Sequence, residues 1–480
     1  MNMRFWLPVL VLAAATSLAA QQAPDRSKPP APGPAPTLTL PRIQKQQLSN
    51  GLPVWIVEQH EVPIAQVNLV VLSGSADDPA GKFGVASLTA AMLMEGAGSR
   101  SSLELADAVD FLGADLTAAS GSDSSSVRLH APVARLGDAL PLMADVAQRP
   151  RFEQADLDRL RQQRLTSILQ GRDDANTIAS LAYARVLFGT AHRFGTATMG
   201  TAETLRGFTV DDLRRFHAST YRPDNAGLIV VGDVTPATIV PLLEQQFGGW
   251  KPQASGPVTH VKQPAPPART KREVFLVDKP GAPQTQIRIG LVGVPRSTPD
   301  FFPLEITNTV LGGSFMSRLN MNLREEHGYT YGASSYFDMR QEAGPFLAFA
   351  GVQTDKTAES LKEFFAEITG MQQPVPGDEL ARSKNYVALG LPSGFETTGD
   401  ISRRLEESFV YRLPDDYYAR YVPNIEAVSV ADVQRTARTY LPAARMAVVV
   451  VGDRGTIEAG IKALNLGPLT VMTVDEIFGK

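Results

Sequence analysis

The chain has 480 residues, 43% of them hydrophobic, which fills more than one core and excludes a disordered or fibrous polypeptide. Its 46 basic and 50 acidic residues leave a net charge of -4 with no long block of like charge, which argues against a nucleic-acid surface. The absence of cysteine excludes disulfides, thiolate zinc sites, iron-sulfur clusters and thiol nucleophiles, and no two of the six histidines (His60, His130, His192, His217, His260, His327) are spaced as a helical ligand pair.

Met1 to Arg4 carries a positive charge, Phe5 to Ala15 is apolar, and Thr16 to Ala20 is small, the three parts of a signal peptide over 1–20 with cleavage after Ala19 or Ala20. The apolar run is too short for a membrane span, and no cysteine follows it to carry a lipid. The expected destination is the periplasm of a Gram-negative cell. Residues 21–42 hold seven prolines between Pro24 and Pro41, an extended tether, and the folded part is expected from Ile43.

Pro63 opens a strand that runs into the apolar Val70-Val71-Leu72. Gly96 to Ser101 begins like a dinucleotide loop but lacks the third glycine and a suitable preceding strand, so a turn is predicted. Ser101 and Glu104 are spaced as a capping box for a helix to Leu112, with Leu105, Val109 and Leu112 on one face and Gly113 at the stop. The serines between Ser120 and Ser126 have nothing to activate a nucleophile and read as a solvated loop and strand edge, while Ser126 to His130 alternates like a half-exposed strand. Pro257, Pro264, Pro266 and Pro267 mark a linker over 252–271. Beyond it, a helix is expected to start at Pro299 and end at Gly312-Gly313.

The segments on either side of that linker repeat. Phe208 to Leu213, Tyr221-Arg222-Pro223 and Leu228 to Asp233 read as helix, turn and buried strand. Val428 to Val433, Tyr440-Leu441-Pro442 and Val448 to Asp453 read the same way, and both strands end in Val-Gly-Asp, 220 residues apart. Pro63-Ile64 and Pro283-Gln284 open strands at the same offset. The predicted class is α+β, with two homologous domains of about 220 residues over 43–251 and 272–480.

Gly81 to Gly96, Leu311 to Leu319 and Leu323 to Tyr331, with Phe188 to Gly195, Gly200-Thr201 and Leu391 to Thr397, resemble the pitrilysin/insulinase family of zinc peptidases and their processing-peptidase relatives. The resemblance runs from about Gln47 to Asp453. It implies domains made of a mostly antiparallel sheet with helices packed on it, forming half of a clam-shell chamber around an unfolded peptide. The family holds zinc on an inverted His-x-x-Glu-His helix, whose glutamate is the general base. Here the matching residues are Ser87-Leu88-Thr89-Ala90-Ala91, and the third ligand, about 77 positions later in the family pattern, falls near Ile168. With Ser87, Ala90, Ala91 and Ile168 in those places, the metal site is degenerate and this chain alone is not a zinc peptidase.

Arg324 and Tyr331 match a second part of the family pattern, an arginine and a tyrosine seven positions on that hold the substrate backbone and support the developing oxyanion. On residue chemistry alone Arg324 also reads as a surface helix residue in an ion pair and Tyr331 as a strand residue. His192 and His327, each beside glycine turns, read as hydrogen-bonded structural histidines, and Tyr329 and Tyr336 as packing residues. The resemblance implies a metal-free subunit that binds no cofactor itself and lends Arg324 and Tyr331 to a zinc-bearing partner in a periplasmic heteromeric peptidase. The rival is a non-enzymatic peptide-binding or scaffold protein of the same fold. Neither reading involves nucleic acid or a stable membrane anchor.

Overall fold

The computed structural model describes residues 42–479, so the expected signal peptide and all of the tether except Arg42 lie outside the described residues. Eight strands belong to the first half: β1 (Gln44–Gln47), β2 (Pro53–Glu58), β3 (Ile64–Val71), β4 (Gly96–Ala97), β5 (Arg100–Ser101), β6 (Asp115–Ser120), β7 (Ser125–Pro132) and β8 (Ala226–Gly232). The second half has β9 (Glu273–Asp278), β10 (Gln284–Val292), β11 (Thr330–Phe337), β12 (Pro345–Gln353), β13 (Ala447–Gly452) and β14 (Leu469–Met472). The first sheet runs β1-β2-β8-β3-β7-β6 and the second β14-β9-β13-β10-β12-β11. β4 and β5 form a small hairpin at the turn expected there.

The duplication extends to the register of the innermost pair. Val67 of β3 faces Val230 of β8, and Ile287 of β10 faces Val450 of β13, both residues moved by 220. In both halves the pairs β2/β8 and β9/β13 are parallel and the other central pairs antiparallel. The outer strands differ: β1 pairs antiparallel with β2, whereas β14 returns from the far end of the chain to lie parallel to β9.

The helices of the first half are α1 (Val85–Leu93), α2 (Ser102–Phe111), α3 (Leu136–Gln148), α4 (Gln154–Gly171), α5 (Ala175–Phe188), α6 (Ala202–Gly207), α7 (Val210–Thr220) and α8 (Pro236–Phe247). Those of the second are α9 (Phe301–Leu311), α10 (Arg318–Asn320), α11 (Thr357–Gly370), α12 (Gly377–Gly390), α13 (Thr398–Val410), α14 (Tyr421–Ala427), α15 (Val430–Tyr440), α16 (Arg454–Ala463) and α17 (Val474–Phe478). α2 carries the expected capping box, with Ser101 accepting from the Glu104 amide and Glu104 from that of Ser101. Among the described residues no helix is long and apolar enough to cross a membrane.

One face of each sheet packs on its own half's helices, forming one core around Val67, Leu88 and Leu213 and another around Ile287, Ile306 and Val433. The opposite faces are covered reciprocally. α5 lays Ile178, Ala182, Tyr183 and Leu187 on Val277, Val449 and Val451 of the second sheet. In return α13 lays Ile401, Leu405 and Val410 on Val57, Val70, Ile229 and Val231 of the first. Arg128 pairs with Glu406 at 2.6 Å beside one crossing, and Arg288 donates to Asn176 beside the other. Burying each large apolar side chain stabilises by about 1.5 to 3 kcal/mol, so each sheet depends on a helix lent by the other half.

Several expectations change. Pro299 lies just before the N-cap Asp300 rather than in the first turn of α9. β7 is an inner strand between β3 and β6, so Ser125 and Ser126 are buried, and Ser125 Oγ donates to the Ser73 carbonyl at 2.8 Å instead of facing water. Residues 251–272 contain neither helix nor strand, yet they are strapped to the first half: Gln263 bridges the Arg193 amide (3.0 Å) and the Ala76 carbonyl (2.7 Å).

Candidate functional site

The start of α1 is pinned by a buried ion pair. Asp78 accepts from the amides of Gly84 (2.6 Å) and Ala86 (2.8 Å) and from Arg193 Nε (2.6 Å). Arg193 in turn donates to the carbonyls of Thr196, Ala197 and Thr198. Gly84 has φ +103, and a Cβ there would strike the Met199 backbone. The loop 189–201 and the entry to α1, far apart in sequence, are thus brought into backbone contact, with Thr204 Oγ1 donating to the Phe83 carbonyl at 2.8 Å.

On α1, Ser87 and Ala91 are partly exposed and Ala90 is buried. Ile168 on α4 is partly buried and packs against the first core and against the cluster around α5. One turn before it, Arg164 reaches back to α1, where its Nη2 donates to the Ser87 carbonyl at 2.9 Å. Its Nη1 is buried and has no partner among the described residues. Burial lowers the Arg164 pKa to about 10. A hydroxyl and three hydrocarbon side chains cannot replace imidazole and carboxylate, and a guanidinium beside them repels a divalent cation, so these residues do not fit zinc. Among the described residues no cluster of three or more histidine or acidic side chains is placed to hold a metal. Arg164 is absent from the sequence-based candidates; its spacing of four from Ile168 is the signal that puts it on the same face of α4.

The second group lies on the other half. Arg324 sits in a π-helical turn, Met321–Glu326, that continues α10. Its Nε lies 3.1 Å from Glu325 Oε1, and its guanidinium stacks on Phe315 at 4.8 Å. Tyr331 lies in a β-bulge: Thr330 faces Val352 but Ala333 faces Ala350, so β11 carries one extra residue. The Tyr331 side chain is thrown outward, 88% exposed, and Phe315 and Met316 nearby in the chain from Arg324 are also exposed, 54% and 50%. No hydrogen bond or ion pair joins this group to Ser87, Ala91 or Ile168 among the described residues.

His192 is buried, with Nδ1 accepting from the Phe194 amide at 3.0 Å, as a structural histidine does. His327 stacks on Tyr329 with centroids 4.9 Å apart. Tyr336 is not simply a packing residue: it is 42% exposed and borders a cavity of about 430 Å³ beside α9.

Two family descriptions match the chain: Insulinase (Peptidase family M16) over residues 54–197 and Peptidase M16 inactive domain over residues 207–387. An uncharacterised zinc protease of Streptomyces coelicolor is 25% identical over 409 residues, covering 83% of this chain and 87% of that protein. Another, from Mycobacterium tuberculosis, is 25% identical and covers 86% of this chain and 94% of its own length. A peptidase M16 inactive domain from Pseudomonas fluorescens superposes with a TM-score of 0.79 at 27% identity, covering 86% of this chain and 98% of that one. A protease from Helicobacter pylori, 21% identical, shares the fold at TM-score 0.78 over 86% of this chain and 100% of its own. With two successive family regions matched and the duplicated sheets in place, the chain belongs to the insulinase family of peptidase-like proteins.

Proposed function

We propose that this chain is the metal-free subunit of a heteromeric zinc peptidase, exported to the periplasm by a cleaved signal peptide. It supplies Arg324 and Tyr331 to a partner that carries the zinc site. The observation that carries this reading is the contrast between the halves: Ser87, two alanines and Ile168 stand at the metal positions with the Arg164 guanidinium beside them, while Arg324 and Tyr331 are presented outward by a π-turn and a bulge. A guanidinium and a phenol both donate hydrogen bonds to a peptide carbonyl as negative charge gathers on its oxygen. Phe315 and Met316 give that surface an apolar rim for a peptide side chain. The two domains, 43–251 and 272–480, together form one half of the closing shell.

The test mixes this chain with a family member that carries the intact zinc helix and follows cleavage of an unstructured peptide. The mixture should cleave where neither chain does alone, and Arg324→Ala with Tyr331→Phe should reduce the rate by about a hundredfold, the usual loss for an oxyanion donor. Unchanged cleavage by the double variant would remove the assigned role. A mixture that binds peptide without cleaving it would favour the scaffold reading.

A further inference from the structure

α9 stands in the second half where α1 stands in the first: α1 packs on α7 and β6, α9 on α15 and β11. Counting back seven residues from the C-caps, Met94 and Gly312, places Glu305 where the first half has Ser87. The emptied position thus has a carboxyl in the second copy, and the cavity of about 430 Å³ opens there, between α9, the end of β11 and α13.

The other charges around this cavity are already paired. Arg296, 7% exposed, donates to Glu407 at 3.1 Å and to the Tyr417 hydroxyl at 2.7 Å, and its guanidinium lies 3.7 Å over Phe301. Glu407 also accepts from the Tyr418 hydroxyl at 3.0 Å and lies 3.6 Å from Arg404, while Asp338 is held by Arg340. The Tyr411 hydroxyl donates to Asp123 across the two halves at 3.0 Å. The Glu305 side chain has no hydrogen bond and no ion pair among the described residues, although the arginines lie near enough to be felt. Burial pushes its carboxyl up from the usual range. One turn on, Asn308 Oδ1 is taken by the Ser335 hydroxyl at 2.8 Å.

We propose that this cavity is a binding site for an organic cation, an alkylammonium or guanidinium group, that donates its hydrogen bonds to Glu305 beside the rings of Tyr336 and Tyr411. A carboxylate on a cavity wall with no protein partner gains from a charged donor, and neighbouring aromatic rings favour a cation. Two sources offer this chemistry, the basic side chain of a peptide and a free small amine. The site belongs to this chain alone and does not depend on a zinc-bearing partner.

The test is calorimetric titration of the full chain with agmatine and with an unstructured peptide containing one arginine, each also against Glu305→Gln, and of the same peptide with citrulline in place of arginine. Binding of either cation, weakened roughly tenfold or more by Glu305→Gln and by citrulline, is the expected result. Binding of the peptide alone identifies the side-chain source, and binding of agmatine alone the free amine. Failure of both to bind, or binding indifferent to Glu305→Gln and to citrulline, would overturn the proposal. The citrulline comparison uses the unaltered protein, so it stands even if the variant folds poorly.

Discussion

His217 is almost wholly enclosed, with Nε2 2.9 Å from the Ala147 carbonyl and its ring stacked on Tyr221 at 4.8 Å. Burial lowers its pKa to about 4 from an ordinary 6.5. Because the unfolded chain takes up the proton first, this group contributes its full stability above pH 6.5 and loses it as pH falls toward 4, about 3 kcal/mol in all. Urea denaturation midpoints should fall over that window, and His217→Gln should flatten the decline. Asp123, raised by burial, works with the opposite sign, its penalty easing as pH falls through its folded value. A second prediction concerns Arg193: replacing it with alanine takes the cation from the buried Asp78 carboxyl and should cost about 3 to 5 kcal/mol in thermal or chemical unfolding. The Ser101–Glu104 capping box was legible because capping is a local matter of spacing. Arg164 was not, because its meaning depends on which helix α4 faces, and that is decided by packing.

At the scale of elements, the crossings of α5 and α13 over the sheets rest on glycines. A Cβ on Gly290 would collide with the Phe346 carbonyl and the Tyr183 hydroxyl, and one on Gly227 with the Phe409 ring. Gly290→Ala and Gly227→Ala should each lower stability by about 1 to 3 kcal/mol through forced separation of helix and sheet, read as a drop in melting temperature. The strand repeat was legible, since apolar strand segments recur at 220 residues; the register between them, which keeps that period in the β3/β8 and β10/β13 pairs, was not. The helix exchange was not. The apolar face of α5 announces burial without saying against which sheet, and α13 is likewise silent. The bulge at Tyr331 and the π-turn at Arg324 also escape a reading by periodicity, because each departs from the period by a single residue.

For the molecule as a whole, lent helices make the two halves one cooperative unit. The tail adds to this: β14 completes the second sheet, and α17 returns to the first half, where Arg172 pairs with Asp475 and Phe478 packs beside Gly171. Unfolding followed by tryptophan fluorescence and by circular dichroism should give one coincident transition. Residues 43–251 expressed alone should bind a hydrophobic dye and aggregate, whereas coexpression with 272–479 should restore a soluble complex. Two independent transitions would contradict this picture of the fold.

The same exchange limits how such a chain can be reshuffled by recombination. A crossover within 251–272 looks harmless in sequence, since it falls between the repeats and breaks no strand or helix. Yet a hybrid joined there would bring α5 from one parent onto the second sheet of the other, and α13 the reverse, mismatching two interfaces at once. The repeats that arose as copies have become heritable only as a pair.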